Sequence, residues 1–142
     1  MGGWRGDGAA LSVETHLLLF RPEGMGLAPF QAALEAALPA GAQLAIALPD
    51  DALPALAHVA ARDAEVPDAL VTLTGEQDAT ALVALADPAR SRIFAGTRHA
   101  ILPGRDAIRL FFGLRRLPAL TRAAFQDYWL NRHADFGRRL IP

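Results

Sequence analysis

Sliding the chain 95 residues along itself sets Leu19 on Leu114, Arg21 on Arg116, Ala28 on Ala123, Phe30 on Phe125 and Gln31 on Gln126. These coincidences fall at matching points of two strand-then-helix segments, so the chain reads as a duplicated β-α unit. Val13 to Phe20 and Ile108 to Leu114 are both apolar runs of strand length. After the second run, Thr121 stands in an N-cap place and the sequence keeps a helical period to about Arg139 with no internal Pro. The second copy ends at Pro142, about 60 residues short of the first copy's length. The expectation is therefore either a piece of a longer tandem protein or a β-α unit that packs onto the first domain or a neighbour. An apolar strand at 108–114 would need a pairing partner.

The first copy carries the fold. Ala28 to Leu38 repeats Phe30, Ala33, Leu34, Ala37 and Leu38 at helical spacing and stops at Pro39 and Gly41. Ala42 to Leu48 reads as a strand, and Asp50 or Asp51 can cap a helix that runs to about Ala64. Ala69 to Thr74 is a β-branched run closed by Gly75, Glu76 to Ala86 is an Ala/Leu-rich helix, and Ile93 to Leu102 returns as a strand. This order closes most simply as an α+β domain: a ferredoxin-like β-α-β-β-α-β antiparallel sheet with helices on one face. The expected organisation is a flexible tail at 1–12, a first half at 13–104, and an incomplete second half at 105–142.

Composition removes several chemistries. Cysteine and lysine are both absent and all 14 basic residues are Arg, which excludes disulfides, thiol nucleophiles, Schiff bases and a P-loop lysine. Ser12 and Ser91 are the only serines, and neither has a nucleophile-elbow context. No apolar run reaches the roughly 18 residues of a membrane helix, and the Gly-rich opening has no signal-peptide core, so a cytoplasmic protein without membrane contact is expected. Residues 1–104 carry a net −6 and 105–142 a net +5. The basic end is short and interleaved with Leu and Phe, which favours attraction between the halves, or between copies, over nucleic acid. Gly24-Met25-Gly26 is read as lacking the strand-turn-helix context of a phosphate loop. His16, His58 and His99 are scattered, so no metal site is expected.

Polar chemistry concentrates in the second copy's helix. Phe125, Trp129, His133, Phe136 and Leu140 share one helical face, with Tyr128 and Arg132 beside it. His133 suits proton exchange near neutrality, Tyr128 hydrogen-bond donation, and Arg132 the binding of a carboxylate or enolate. Packing alone would make Phe125, Trp129 and Phe136 core and His133 a hydrogen-bonded helix residue. The first copy has Ala33, Leu34, Ala37 and Leu38 where the second has Tyr128, Trp129, Arg132 and His133, so packing does not demand the polar set. Alternation puts Arg109 and Arg115 on one side of the preceding strand, as candidate ligand contacts, and leaves Arg116 to anchor the loop before the helix.

The run from Arg115-Arg116-Leu117-Pro118 through Thr121, Phe125, Tyr128-Trp129 and His133 resembles the opening motif of EthD-domain proteins: an apolar strand, a basic Pro-containing turn, then a helix reading F-x-x-Y-W-x-x-x-H. The match covers about residues 107–136, while residues 13–102 look like a diverged first EthD-like half. The resemblance implies a dimeric α/β-barrel in which two ferredoxin-like sheets enclose a ligand cavity, with a homodimer as the expected assembly. It implies a cofactor-free enzyme that decarboxylates, cyclises or isomerises a small aromatic or polyketide-like compound, with His133 and Tyr128 catalytic and Arg132, Trp129, Arg109 and Arg115 around the substrate. The alternative is a non-catalytic module that binds an apolar molecule or mediates dimerisation. Haem binding through a histidine is a third possibility, for which nothing in the sequence singles out an axial ligand.

Overall fold

In this computed structural model, residues 12–47, 65–99, 114 and 116–139 are described. They divide into two compact units, Ser12–Thr97 and one that holds the described residues from Arg98 onward. The expected tail before Ser12, the helix after Asp50 or Asp51, the end of the strand at Leu102, most of the strand at 108–114, and both Arg109 and Arg115 lie outside the described residues.

The first unit is α+β. Its elements are β1 (Ser12–Leu19), α1 (Leu27–Ala37), β2 (Gln43–Ile46), β3 (Ala69–Thr74), α2 (Thr80–Ala84) and β4 (Arg92–Arg98). The strands form a four-stranded antiparallel sheet in the order β2-β3-β1-β4. The β1–β3 register sets Thr15 opposite Leu73, Leu17 opposite Val71 and Leu19 opposite Ala69, and β2 adds Leu44 beside Val71 and Ile46 beside Ala69. Side chains alternate across a strand, so these residues share one face. Leu17, Leu19, Val71 and Leu73 are fully buried there and form one core with Phe30 and Leu34 of α1 and Leu82 of α2. Each such side chain contributes on the order of 1.5–3 kcal/mol of burial free energy.

Sequence explains most boundaries. β3 lies between two partners and is buried from Ala69 to Leu73, so it reads as a near-continuous apolar run without alternation. α1 presents Phe30 and Leu34, one turn apart, to the core. Pro29 sits in its first turn, where no intrahelical N–H is lost. Leu38 leaves the helix in an extended conformation because Pro39 follows it, and Gly41 completes the reversal at φ 81°.

α2 is shorter than the Glu76–Ala86 helix the composition predicts, and Ser12 belongs to β1 and not to a tail. The late start of α2 has a local cause. Gly75 turns at φ 74°, and Gln77 then accepts a hydrogen bond from the Thr74 amide (3.2 Å) and donates one to the Ala40 carbonyl (2.8 Å). Asp78 accepts hydrogen bonds from the Thr80 amide at 2.8 Å and the Thr80 hydroxyl at 2.6 Å, which fixes the first helical residue.

The Thr80 hydroxyl, and after it the Thr80 amide, hold the Asp78 carboxyl below its ordinary value. A carboxyl depressed in the folded state stabilises the fold above its unfolded ionisation and loses that contribution as pH falls through the folded one. Urea unfolding is therefore expected to show Asp78→Asn less stable than the parent protein at neutral pH, with the gap closing as the solution is acidified into and below the carboxylate range.

Candidate functional site

Two groups of side chains could carry chemistry, one in each unit. The first lies on the sheet face that α1 and α2 do not use. By the β1–β3 register, Glu14, His16 and Leu18 share that face with Leu70, Thr72 and Thr74, and Gln43 stands next to Thr72 on β2. His16 Nδ1 lies 3.2 Å from Thr72 Oγ1, and His16 Nε2 lies 3.5 Å from Glu14 Oε2. Glu14 is 9% exposed and Thr72 is 4% exposed. The His16 side chain is 31% exposed, so the imidazole is the accessible part of the set. A carboxylate and a hydroxyl withdrawn from water need partners, and here they find them in an imidazole.

Metal-ligand and helical spacings do not reveal this group, because Glu14-Thr15-His16 has the i, i+2 spacing that aligns two side chains on one face of a strand. Thr72 had no local signal, since it reaches His16 only through strand pairing.

The second group occupies a helical stretch that runs from Arg122 to Arg139: α3 (Arg122–Asp127), a π-helical turn (Tyr128–His133) and α4 (Ala134–Arg139). Thr121 caps it as the sequence predicts, its hydroxyl accepting from the Ala124 amide at 3.1 Å. Arg116 fastens the preceding turn, donating to the Leu120 carbonyl at 2.6 Å. The Ala134 amide donates to the Trp129 carbonyl, five residues back, which is the π pattern. Asn131 braces the same stretch by donating to Asp127 at 2.6 Å.

Of the predicted site residues, the turn brings Trp129 and His133 together, with ring centroids 3.8 Å apart at 52°. Phe125 lies against Trp129 at 6.2 Å. Tyr128, Arg132 and His133 are exposed; of the three aromatics that packing alone would make core, Phe125 and Trp129 are only half-buried and Phe136 is 65% exposed. The π turn also shifts the helical phase, so Phe136 no longer follows the spacing that aligns Phe125 with Trp129. No hydrogen bond or ion pair links Tyr128 or Arg132 to His133 among the described residues.

A third feature is an open cleft of about 570 Å³ lined by Arg21, Gly24, Gly26, Asp87 and Arg90 among others. Gly24-Met25-Gly26 does stand between a strand and a helix, contrary to the sequence reading, but β1 pairs antiparallel with β3, so the parallel sheet of a dinucleotide fold is missing. Both guanidiniums of the cleft are engaged. Arg21 pairs with Asp68 at 3.6 Å, and Arg90 with Glu65 at 3.2 Å while lying 4.3 Å over the Phe20 ring. Among the described residues no three His, Asp or Glu side chains gather to hold a metal ion, and no helix is long and apolar enough to cross a membrane.

Comparisons with known protein families, with characterised proteins and with solved structures return no match.

The Thr121 cap orders the helix that presents Trp129 and His133. Thr121→Ala is expected to cost about 1 kcal/mol in denaturant unfolding, while Thr121→Ser stays near neutral because Ser caps equally well.

Proposed function

We propose that this chain is an acid–base protein of the EthD type, which works without a cofactor on a small aromatic or polyketide-like metabolite by decarboxylation, cyclisation or isomerisation. The observation that carries this reading is the contact of the His133 ring with the Trp129 ring inside a π-helical turn. π turns concentrate at functional positions. An indole beside an accessible imidazole offers an aromatic substrate a stacking surface next to a proton donor and acceptor. In this scheme His133 moves the proton, Tyr128 donates a hydrogen bond to the developing oxyanion, and Arg132, Arg109 and Arg115 hold a carboxylate or enolate. Trp129 forms a wall of the site.

The sheet supports the same reading. Its order β2-β3-β1-β4 with helices packed on one face is compatible with a ferredoxin-like domain, which in a dimeric α/β-barrel would turn its other face toward a ligand. The homodimer, the division into a first half and an incomplete second half, and the cytoplasmic location belong to this proposal.

His133 is exposed, so its replacement should leave the fold intact. With a panel of phenolic and polyketide-like acids as substrates, His133→Gln is expected to lower kcat about 10²–10⁴-fold with an unchanged Tm. Full turnover by the variant would remove His133 from the chemistry.

A non-catalytic dimerisation or apolar-ligand module is the second reading, favoured by exposed apolar side chains. Phe136 and Leu117 are exposed in the second unit, and Ile93 and Phe94 are each 53% exposed on the edge strand β4. On this reading, light scattering coupled to gel filtration would give a dimer that Phe136→Asp dissociates, with no turnover of the panel by the parent protein.

A further inference from the structure

We propose that the open cleft of the first unit binds a small zwitterion, an α-amino acid with an apolar side chain, whose carboxylate meets Arg21 and Arg90 and whose ammonium meets Glu23 and Asp87. All four residues line the cleft, and all belong to Ser12–Thr97. The inference concerns binding at residues remote in sequence from His133. It therefore stands or falls separately from the acid–base reading above.

The walls of the cleft are tied together by the fold. One wall is the segment from Arg21 to Gly26, and the other is formed by Asp87 and Arg90. Two long-range hydrogen bonds join the chain beside these walls: the Asp87 amide donates to the Phe20 carbonyl at 2.8 Å, and the Phe20 amide donates to the Ser91 hydroxyl at 3.0 Å. Gly24 and Gly26 add no side chain to the first wall, which keeps the space open. Its volume of about 570 Å³ suits a small molecule.

Each guanidinium is held through its Nε. Arg21 Nε lies 3.6 Å from Asp68 Oδ1, and the other oxygen of the same carboxylate accepts from the Arg21 amide at 2.9 Å. Arg90 Nε donates to Glu65 Oε2 at 3.2 Å while its guanidinium lies 4.3 Å over the Phe20 ring. Among the described residues no hydrogen bond goes to the terminal nitrogens of either arginine or to the Glu23 carboxylate. Those terminal nitrogens are the fork that receives a carboxylate. Asp87 Oδ1 accepts from the Ala89 amide at 2.9 Å, and its second oxygen is left for an ammonium.

The balance of charge selects the ligand. A simple anion would approach the guanidiniums past the carboxylates of Glu23 and Asp87, with those of Asp68 and Glu65 beside them, and a simple cation would meet Arg21 and Arg90. A molecule with one charge of each sign satisfies both sets. Pro22 and Met25 supply apolar lining for its side chain.

Calorimetric titration of the whole chain with L-leucine tests this, beside two probes that each lack one charge. L-leucinamide keeps the ammonium at about pH 6, and isocaproate keeps only the carboxylate. L-leucine is expected to bind saturably and each single-charge probe about tenfold more weakly, since each forfeits a charge-assisted hydrogen-bonding partner. Arg21→Gln and Glu23→Gln should each weaken L-leucine by a similar factor, and His133→Gln should leave it unchanged. The Asp68 bond to the Arg21 amide survives the first substitution, because it uses the main chain. Should either variant fail to fold, the Gly24 and Gly26 amide resonances of the parent protein serve instead: they are expected to move during the titration. No saturable binding of L-leucine, equal binding of isocaproate or L-leucinamide, undiminished binding by folded Arg21→Gln, or unmoved Gly24 and Gly26 resonances would each overturn the proposal.

Discussion

The pairing of β1 with β3 is the constraint on which the rest of the first unit depends. It is the central ladder of the sheet, and its register decides which residues meet α1 and α2 and which look away from them. With Leu17 opposite Val71, one face is an unbroken apolar surface and receives Phe30, Leu34 and Leu82. A slip of one residue would carry His16 and Glu14 into that core and expel Leu17 and Leu19. The cost of burying an ionisable pair against leucines makes the observed register far more favourable. Hydrophobic burial on one face thus fixes the polar geometry on the other.

The two candidate sites differ in how they are held. Glu14, His16 and Thr72 sit on adjacent central strands, where hydrogen-bonded neighbours fix the backbone and partner groups restrict the rings and hydroxyls. Trp129 and His133 are held by one helix, its Thr121 cap and a side-chain bond between Asn131 and Asp127. Sites built on rigid strands keep their geometry more closely than exposed helical ones. Strand pairing therefore fixes the sheet group more firmly than a single helix fixes the Trp129–His133 pair.

Much of the fold was legible because burial leaves a pattern. The β-branched run Ala69–Thr74, closed by Gly75, announces a strand, Phe30 and Leu34 announce one helical face, and Pro39 with Gly41 announces its end. Thr121 showed itself as a cap for a similar reason, since its position before an unbroken helical period has a simple structural meaning. The late start of α2 was hidden because Gln77 and Asp78 are acceptable helix residues whose side chains prefer the backbone groups available here. Thr72 was hidden because its partner is 56 residues away in the chain. The π turn left no mark at all, for an additional residue in a helix changes neither composition nor polarity.

That wide turn has a consequence for how the last helix is aimed. Successive residues of an α-helix advance by about 100°, so one supernumerary residue rotates everything after it by about that much. The stretch from Arg122 to Arg139 consequently falls into two α-helical segments out of phase with each other, with the joint between Tyr128 and His133. An aromatic stripe that is continuous on paper is thereby interrupted: Phe125, Trp129 and His133 keep ring contacts along the helix, while Phe136 stands exposed beyond the joint.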